Sequence, residues 1–392
     1  MSAYVIAACR TPIGKFLGGL STLSAPRLAA PAIEDALDKC HVSPNRIDEV
    51  ILGNVLSAGV GQAPARQAAL LAGFPPSIAA VTINKVCGSG LKSVMLADQA
   101  IRAGDANLIV AGGMENMSLA PHMLLNSRQG HKFGDARLVD SMVFDGLACS
   151  TEKTGMGELA EYIAEKYEVS RADQDTFAAE SHRRATAAMH DGKLTSEITP
   201  VTVKNRKGDL VVTCDEGPRG DTSIDSLAKL PTAFRASGTV TAGNASQLSD
   251  GAAVVVVANE AAARELESPF KARIIASATS GVAPKDLFIA PVSAIEMVLN
   301  KANMMLEDVD LVELNEAFAA QCLACMRPLG LSHENVNVHG GAIALGHPLG
   351  ASGARVLVTL LHALVERGLR RGIASLCLGG GNAVAMLVEL DS

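Results

Sequence analysis

The 392-residue chain contains no tryptophan, and aromatic residues make up only 3% of it. Long hydrophobic runs are missing too, since an apolar stretch such as residues 252–258 is far shorter than the roughly 20 residues that cross a bilayer. Positive charge is not in excess, because 34 Lys and Arg against 41 Asp and Glu give a net charge of −7. We therefore expect neither a nucleic acid nor a membrane as the main partner.

Cysteine is sparse as well, with eight residues spread over the whole length. This usage does not suit a disulfide scaffold and favours a reducing compartment. The first residues carry no basic segment before their short apolar run, so we expect no signal peptide and a cytoplasmic location. Cys322 and Cys325 form one C-x-x-C pair, but no second pair completes a tetrahedral zinc site, and we expect no metal there.

The chain does have 48% hydrophobic residues, 36 glycines and an internal repeat. Its length favours two or three domains. With a shift of 262 positions, residues 32–34 fall on the identical residues 294–296. The same shift aligns Asp48, Val50 and Leu52 with Asp310, Val312 and Leu314. Each copy reads as a helix, an apolar strand, a glycine-rich turn, a second helix and a second apolar strand.

The repeat predicts an α/β protein of two duplicated halves, packed helix layer against helix layer in a five-layer α/β/α/β/α arrangement. We expect residues 1–118 plus 246–270 to form the N-terminal half and residues 271–392 the C-terminal half. Residues 119–245 have no counterpart in the repeat and predict an inserted loop subdomain over the substrate. Within the insertion, Ser170 and Asp173 match a capping box, which predicts a helix running towards Gly192.

Cys87 lies where an apolar strand turns through glycines into a helix. A thiol at a helix N-terminus feels the positive end of the macrodipole, which can lower its pKa to roughly 3.5–7.5 and make it a nucleophile. The same sequence is compatible with a buried, inert cysteine, because free cysteines are among the most buried residues.

The second half offers further candidates at strand ends, where α/β proteins assemble sites. His347 lies three residues before Gly350, the position that matches Cys87 in the repeat. Cys377 ends an apolar strand and precedes a run of three glycines. A Cys–His pair with a second cysteine suits nucleophilic and acid/base chemistry. Asn315 could belong to the same site or could cap the following helix.

Four blocks together resemble the signature of the thiolase family: residues 84–92, 315–318, 346–353 and 377–381. The match runs through the whole chain. It is most similar to the biosynthetic members, on the evidence of Lys85 and of residues 130–142. The resemblance implies the thiolase fold and an acetyltransferase that reversibly condenses two acetyl-CoA into acetoacetyl-CoA and CoA. It further implies that residues 130–142 join dimers into a homotetramer, and no cofactor other than CoA itself as substrate.

The resemblance also assigns catalytic roles. Cys87 would attack the first acetyl-CoA and carry the acetyl group, with His347 accepting its proton. Cys377 would then remove an α-proton from the second acetyl-CoA. His347 and a water held by Asn315 would face the enolate oxygen, while the N–H groups of Cys87 and Gly379 would face the tetrahedral oxyanion.

For CoA, the resemblance implies that Arg219 and Ser226 reach the nucleotide end and that Ser246 and Leu248 line the pantetheine channel. Further substrate contacts would come from Leu147, Met156, Phe234, Ala317 and Phe318. One departure stands out, because Gly155 occupies the position of a histidine in biosynthetic members. It leaves open a degradative 3-ketoacyl-CoA thiolase of broader chain length. A non-catalytic scaffold that binds CoA or lipid is a third alternative.

Overall fold

The computed structural model describes residues 2–206 and 208–391. The strands are β1 (Ala3–Arg10), β2 (Gly14–Lys15), β3 (Glu49–Gly53), β4 (Ala79–Ile83), β5 (Leu108–Asn116), β6 (His122–Leu124), β7 (Leu138–Asp140), β8 (Ala148–Cys149), β9 (Thr154–Gly155), β10 (Val201–Val203), β11 (Leu210–Val212), β12 (Ser249–Asn259), β13 (Ala272–Gly281), β14 (Leu311–Leu314), β15 (Arg371–Leu378) and β16 (Asn382–Leu390).

The α-helices are α1 (Ala25–Lys39), α2 (Pro64–Leu71), α3 (Ser89–Ala103), α4 (Met156–Lys166), α5 (Arg171–His190), α6 (Ile224–Ala228), α7 (Glu260–Glu265), α8 (Ala290–Ala302), α9 (Ala319–Leu329), α10 (Ala342–Leu345) and α11 (Leu349–Arg367). The capping box predicted for α5 is confirmed: Ser170 Oγ accepts from the Asp173 N–H, and the Asp173 carboxylate accepts from the Ser170 N–H.

The main sheet has the strand order β14-β15-β16-β13-β1-β12-β5-β3-β4. In the first half, β3 is parallel to β5, and β12 runs antiparallel to both β5 and β1. The second half repeats this pattern, with β14 parallel to β15 and β16 antiparallel to both β15 and β13. Even the β-bulges correspond, since the register shifts between Val5 and Ala7 and between Ile274 and Ala276. The duplication predicted from the sequence is therefore present in the topology.

The two half-sheets meet only where the ends of β1 and β13 pair, at Tyr4 with Arg273 and at Val5 with Ala272. Both half-sheets are covered on two faces, as continuous apolar strands require. In β12, Val254 and Val256 belong to the core formed with α1 and α2, while Val255 and Val257 face α3 and α11. In β16, alternate residues pack against α8 and α9 on one side and against α3 and α11 on the other. This confirms the five-layer α/β/α/β/α arrangement predicted from the repeat.

Helices α3 and α11 cross at the centre with their backbones in close contact. A Cβ on Gly90 would lie 2.6 Å from the Ala354 nitrogen, and one on Gly353 would lie 2.3 Å from the Leu91 nitrogen. Helix α11 is long and apolar enough to cross a membrane, but 83% of its 18-residue window is buried between the two half-sheets. It is the central helix of the core.

The insertion is anchored to the first half by charge. Arg10, at the end of β1, is fully buried and donates to Glu197 at 2.6 Å and to both oxygens of Asp215 at 2.6 and 2.9 Å. The three-part division of the chain proposed from the sequence stays a prediction.

Candidate active site

Cys87 occupies a tight turn between β4 and α3. The preceding Val86 has φ of +48°, an unusual conformation for a β-branched residue and one that stores strain. Ser89 fixes the turn, because its hydroxyl accepts from the Lys85 N–H at 2.8 Å and donates to the Val86 carbonyl at 2.6 Å. Because Gly88 has no side chain, Leu378 of the second half can pack against the turn. A Cβ on Gly88 would lie 2.2 Å from the Leu378 side chain.

The turn opens into a cavity of about 280 Å³ whose walls are almost wholly apolar. Both halves and the insertion contribute to it. The predicted site residues that line it are Cys87, His347, Cys377, Gly379, Leu147, Met156, Phe234, Ser246, Leu248, Ala317 and Phe318. Two sulfurs and an imidazole that lie far apart in the sequence are thus brought together.

The Cys87 sulfur accepts from its own N–H and from that of Gly379, and its side chain is partly exposed to the cavity. Burial nevertheless raises the pKa of Cys87 to about 12, and the nearby carboxylate of Glu115 acts in the same direction. The N–H donors at the helix N-terminus lower this pKa, as expected from the sequence, but desolvation outweighs them. Cys87 needs a base to become a nucleophile.

His347 has the properties of that base. Its Nδ1 lies 2.6 Å from the Ser352 hydroxyl, which already donates its own proton to the Pro348 carbonyl at 2.8 Å. Nδ1 must therefore carry a hydrogen and donate, so Nε2 is the nitrogen that can accept a proton. Burial lowers the pKa of His347 to about 3, and the positive charge of Arg355 contributes. The imidazole is neutral in the resting site.

Cys377 is the penultimate residue of β15 and is 2% exposed. Burial raises the pKa of this thiol well above its ordinary value, and the proximity of Cys87 raises it further. The two sulfurs are close enough that a negative charge on one disfavours a charge on the other. The site therefore favours one thiolate at a time.

Asn315 follows β14 and is fully buried, but it is not among the residues that line the cavity. Its Oδ1 lies 3.5 Å from Arg355, and its Nδ2 finds no partner among the residues that the structure describes. The alternative role as a helix cap is wrong, because Phe318 is the N-cap of α9. Its role in holding water stays a prediction.

Arg219 and Ser226 do not reach the catalytic cavity. They line a second cavity of about 280 Å³, together with His182. Residues 243–248 connect the two cavities, because Gly243 and Gln247 line the second and Ser246 and Leu248 line the first. An extended ligand could therefore lie along this segment with one end in each cavity.

Several residues of these sites have no recognisable signature in the sequence. His182, within α5, accepts from the Arg219 N–H at 3.2 Å, and burial with the Arg219 charge lowers its pKa to about 4. Val143, Leu287 and Phe288 complete the apolar wall of the catalytic cavity. The described residues include no group of three or more His, Cys, Asp or Glu placed to hold a metal ion.

Comparison with known proteins identifies the class. The model of the thiolase N-terminal domain matches residues 3–261, and that of the thiolase C-terminal domain matches residues 268–390. The enzyme is thus an acyltransferase. The chain belongs to the thiolase family.

Among similar proteins, an acetyl-CoA acetyltransferase of Pseudomonas aeruginosa is 52% identical over 388 residues, with 99% of each chain covered. One of Escherichia coli is 50% identical over 386 residues, with 98% of each covered. The crystal structure of the Bacillus anthracis acetyl-CoA acetyltransferase superposes with a TM-score of 0.97 at 43% identity, covering 100% of this chain and 99% of that one. Human mitochondrial 3-ketoacyl-CoA thiolase gives a TM-score of 0.96 at 41% identity with the same coverage.

Proposed function

We propose that the protein is an acetyl-CoA C-acetyltransferase, which reversibly condenses two acetyl-CoA into acetoacetyl-CoA and CoA. The observation that carries the proposal is the meeting of Cys87, His347 and Cys377 in one apolar cavity. The full-length similarity to proteins named acetyl-CoA acetyltransferase supports the choice of substrate. CoA enters as part of the substrate and leaves as product.

In the first step, the Cys87 thiol gives its proton to Nε2 of His347 while its sulfur attacks the thioester carbonyl. The tetrahedral intermediate then collapses, the C–S bond to CoA breaks, and the departing thiolate takes up the proton of the Cys377 thiol, which leaves Cys377 as a thiolate. The N–H groups of Cys87 and Gly379 already point at the Cys87 sulfur, beside which the oxyanion forms. A well-aimed donor of this kind typically contributes about 10²–10³-fold to kcat.

In the second step, the Cys377 thiolate removes an α-proton from the second acetyl-CoA, and the resulting carbanion attacks the acetyl group on Cys87. The C–S bond to Cys87 then breaks, and the Cys87 sulfur takes back the proton held by His347. Burial keeps Cys377 protonated in the resting site. It becomes a base only after it has protonated the departing CoA, so acetylation of Cys87 comes before removal of the α-proton.

The apolar wall of the cavity favours an apolar acyl group over a polar one. Beside Gly155 there is free space, because a Cβ built there would meet only the Leu147 carbonyl oxygen, at 4.0 Å. Such space could admit longer acyl chains, as in a degradative 3-ketoacyl-CoA thiolase of broader chain length. The names of the full-length relatives favour acetyl-CoA instead. Membership of an enzyme family leaves no support for the non-catalytic scaffold.

We further infer that the enzyme works as a tetramer in the cytoplasm. Residues 119–138 expose several apolar side chains that a partner subunit would cover: Leu119, Leu124, Leu125, Phe133 and Leu138. All eight cysteines are free, which suits a reducing compartment.

Substitution of the two active-site cysteines tests the mechanism. Cys87→Ala removes the acyl acceptor, so incubation with acetyl-CoA should leave no acetyl-enzyme in the intact-protein mass spectrum. Cys377→Ala should still acetylate Cys87 but lose condensation by roughly 10⁴-fold or more, as expected for a member of a catalytic unit. The exposed Cys214, changed to alanine, is the matched control and should behave as wild type. Full condensation by Cys377→Ala would contradict the acid/base role.

A further inference from the structure

Glu115, at the end of β5, is a fully buried carboxylate for which the mechanism has no use so far. It accepts four hydrogen bonds, two on each oxygen. Asn54 Nδ2 at 2.7 Å and the Leu56 N–H at 3.2 Å donate to Oε1. The N–H groups of Val55 at 3.0 Å and Gly350 at 2.9 Å donate to Oε2. Burial of a carboxylate is tolerated when its acceptor positions are filled in this way.

The bond to Gly350 joins the two halves of the molecule. Gly350 is the second residue of α11, where backbone N–H groups have no partner within the helix. The N-cap of α11 is Pro348, which offers no side-chain cap, and the first turn contains no acidic residue. Burial raises the pKa of Glu115 to about 7, although the N–H groups of Gly350, Leu56 and Val55 act in the opposite direction. In its ionised form, Glu115 supplies from the first half the negative charge that a helix N-terminus favours.

The matching helix of the first half is treated differently. Helix α3 begins at Ser89 after the N-cap Gly88, which has no side chain, and its first turn has no acidic residue either. The sulfur of Cys87 lies at this N-terminus. Of two equivalent helix ends, one receives the Glu115 carboxylate and the other receives the nucleophile.

His347 is tied to the helix end that Glu115 holds. Its Nδ1 is bonded to Ser352, in the first turn of α11, and the helix begins two residues after it. On the other side, the loop of Val55 and Leu56 packs in one hydrophobic cluster with Leu349, and Cys87 packs against that cluster. Glu115 accepts hydrogen bonds from this loop and from the start of α11. It therefore links the segment that contacts the nucleophile to the helix that holds the base.

We propose that Glu115 is a positioning residue, whose carboxylate holds the start of α11 against the first half so that His347 stays within proton-transfer reach of Cys87. The inference rests on the proposed function, because it concerns the base and nucleophile of the same reaction. A carboxylate is required, since an amide has only one acceptor oxygen. Glutamine at this position would turn an NH₂ group towards two of the four donors.

Glu115→Gln in the full chain tests the proposal through two measurements. The first is the rate of Cys87 alkylation by iodoacetamide, located by peptide mass spectrometry, which reports base-assisted attack by the Cys87 sulfur without any CoA substrate. The second is kcat and KM for acetoacetyl-CoA thiolysis. We expect both the alkylation rate and kcat to fall by about 10–100-fold while KM changes little, since a displacement near 1 Å has effects of this size. Loss of the Glu115 charge alone would lower the pKa of Cys87 and raise the alkylation rate, so an increased rate would contradict the positioning role.

Asp98→Asn is the matched control. Asp98 is a buried carboxylate on α3 that pairs with Arg102 at 2.6 Å, away from the cavity. The Asp98→Asn substitution should lower the melting temperature and leave the alkylation rate of Cys87 unchanged. A Glu115→Gln enzyme that loses stability but keeps the wild-type alkylation rate and kcat would overturn the proposal.

Should Glu115→Gln fail to fold, Glu115→Asp replaces it, because aspartate keeps the charge but withdraws it from the Gly350 N–H by one methylene. An alkylation rate between the wild-type and background values is then expected, and a wild-type rate would refute the positioning role. If the wild-type enzyme did not catalyse thiolysis of acetoacetyl-CoA, the proposed function would be refuted but the role of Glu115 would not. The ratio of alkylation rates would still decide on Glu115.

Discussion

At the scale of single residues, the resting site holds its proton donors and acceptors in neutral form. Burial raises the pKa of Cys87 to about 12 and lowers that of His347 to about 3, so both effects oppose an ion pair. Proton transfer from the Cys87 thiol to His347 on its own is therefore unfavourable. The transfer becomes feasible when it accompanies attack on the thioester, because the negative charge then ends on the oxyanion and its N–H donors.

His333 gives a residue-level prediction about stability. Its ring stacks on Phe177 with centroids 4.4 Å apart, and its buried Nε2 has no partner among the described residues. Burial and the charge of Arg184 lower its pKa to about 4 from 6.5. Between these values the unfolded chain binds more protons, so this residue makes stability fall as the pH decreases.

His333→Phe should stabilise the protein by about 1 kcal/mol at neutral pH, since it removes an unsatisfied buried nitrogen. It should also weaken the dependence of the unfolding free energy on pH between 4 and 6.5. Urea titrations across that range measure both effects. His333→Gln separates them, because it cannot titrate but stays polar. An unchanged pH dependence in both variants would contradict the assignment.

At the scale of elements, the contact between α3 and α11 decides how the site is assembled. The helix that follows Cys87 and the helix that follows His347 touch through glycine backbones. Side chains at this crossing would push the helices apart, and the nucleophile and base would separate with them.

Gly90→Ala tests this crossing. Its Cβ would lie 2.6 Å from the Ala354 nitrogen and 3.1 Å from the Gly350 oxygen, both backbone atoms that cannot rotate away. We expect a loss of about 3 kcal/mol in the unfolding free energy, together with a lower kcat. Denaturant unfolding and thiolysis rates provide the measurement. The control is Gly104→Ala, at a helix end with φ of +86° and free space around it, which should cost only about 1 kcal/mol. Equal losses in both variants would argue against a tight crossing.

At the scale of the whole molecule, the insertion is held by a buried ion network as well as by packing. Arg10 of β1 is shared by Glu197 and Asp215, and the Arg10 charge, with other nearby cations, lowers the pKa of Glu197 against the opposing effect of burial. Because all three side chains are buried, removal of the cation leaves two unpaired carboxylates.

Arg10→Met should therefore lower the unfolding free energy by about 3–5 kcal/mol, the usual effect of breaking a buried ion pair. The insertion should become sensitive to limited proteolysis before the two halves do. Arg264→Met is the control, because Arg264 forms an exposed pair with Glu260 and should change stability by less than about 1 kcal/mol. A loss for Arg10→Met as small as that of the control would show that the network does not anchor the insertion.

Much of this organisation could be predicted from the sequence. Local patterns revealed the repeat and the glycine-flanked Cys87, His347 and Cys377, because strand ends and turns leave local signatures. The contacts of Arg219 and Ser226 were expected only from resemblance, and the structure places them in a cavity of their own.

The electrostatics could not be predicted in this way. The pKa of Cys87 depends on how much protein surrounds the sulfur, and that protein comes from β15, the insertion and both halves. The role of Glu115 could not be predicted for the same reason. Three of its four hydrogen-bond donors belong to residues 54–56 and the fourth to residue 350, all distant from it in the sequence.

The position of β12 has a consequence for how the protein is made. This strand lies between β1 and β5 and completes the first half-sheet, yet it follows the insertion in the chain. A growing polypeptide must therefore reach Asn259 before the edges of β1 and β5 are covered. Open edges invite pairing with other chains, so the ribosome-bound intermediate is the stage most exposed to aggregation. Pairing of β1 with β5 through β12 should therefore wait until β12 has left the ribosome.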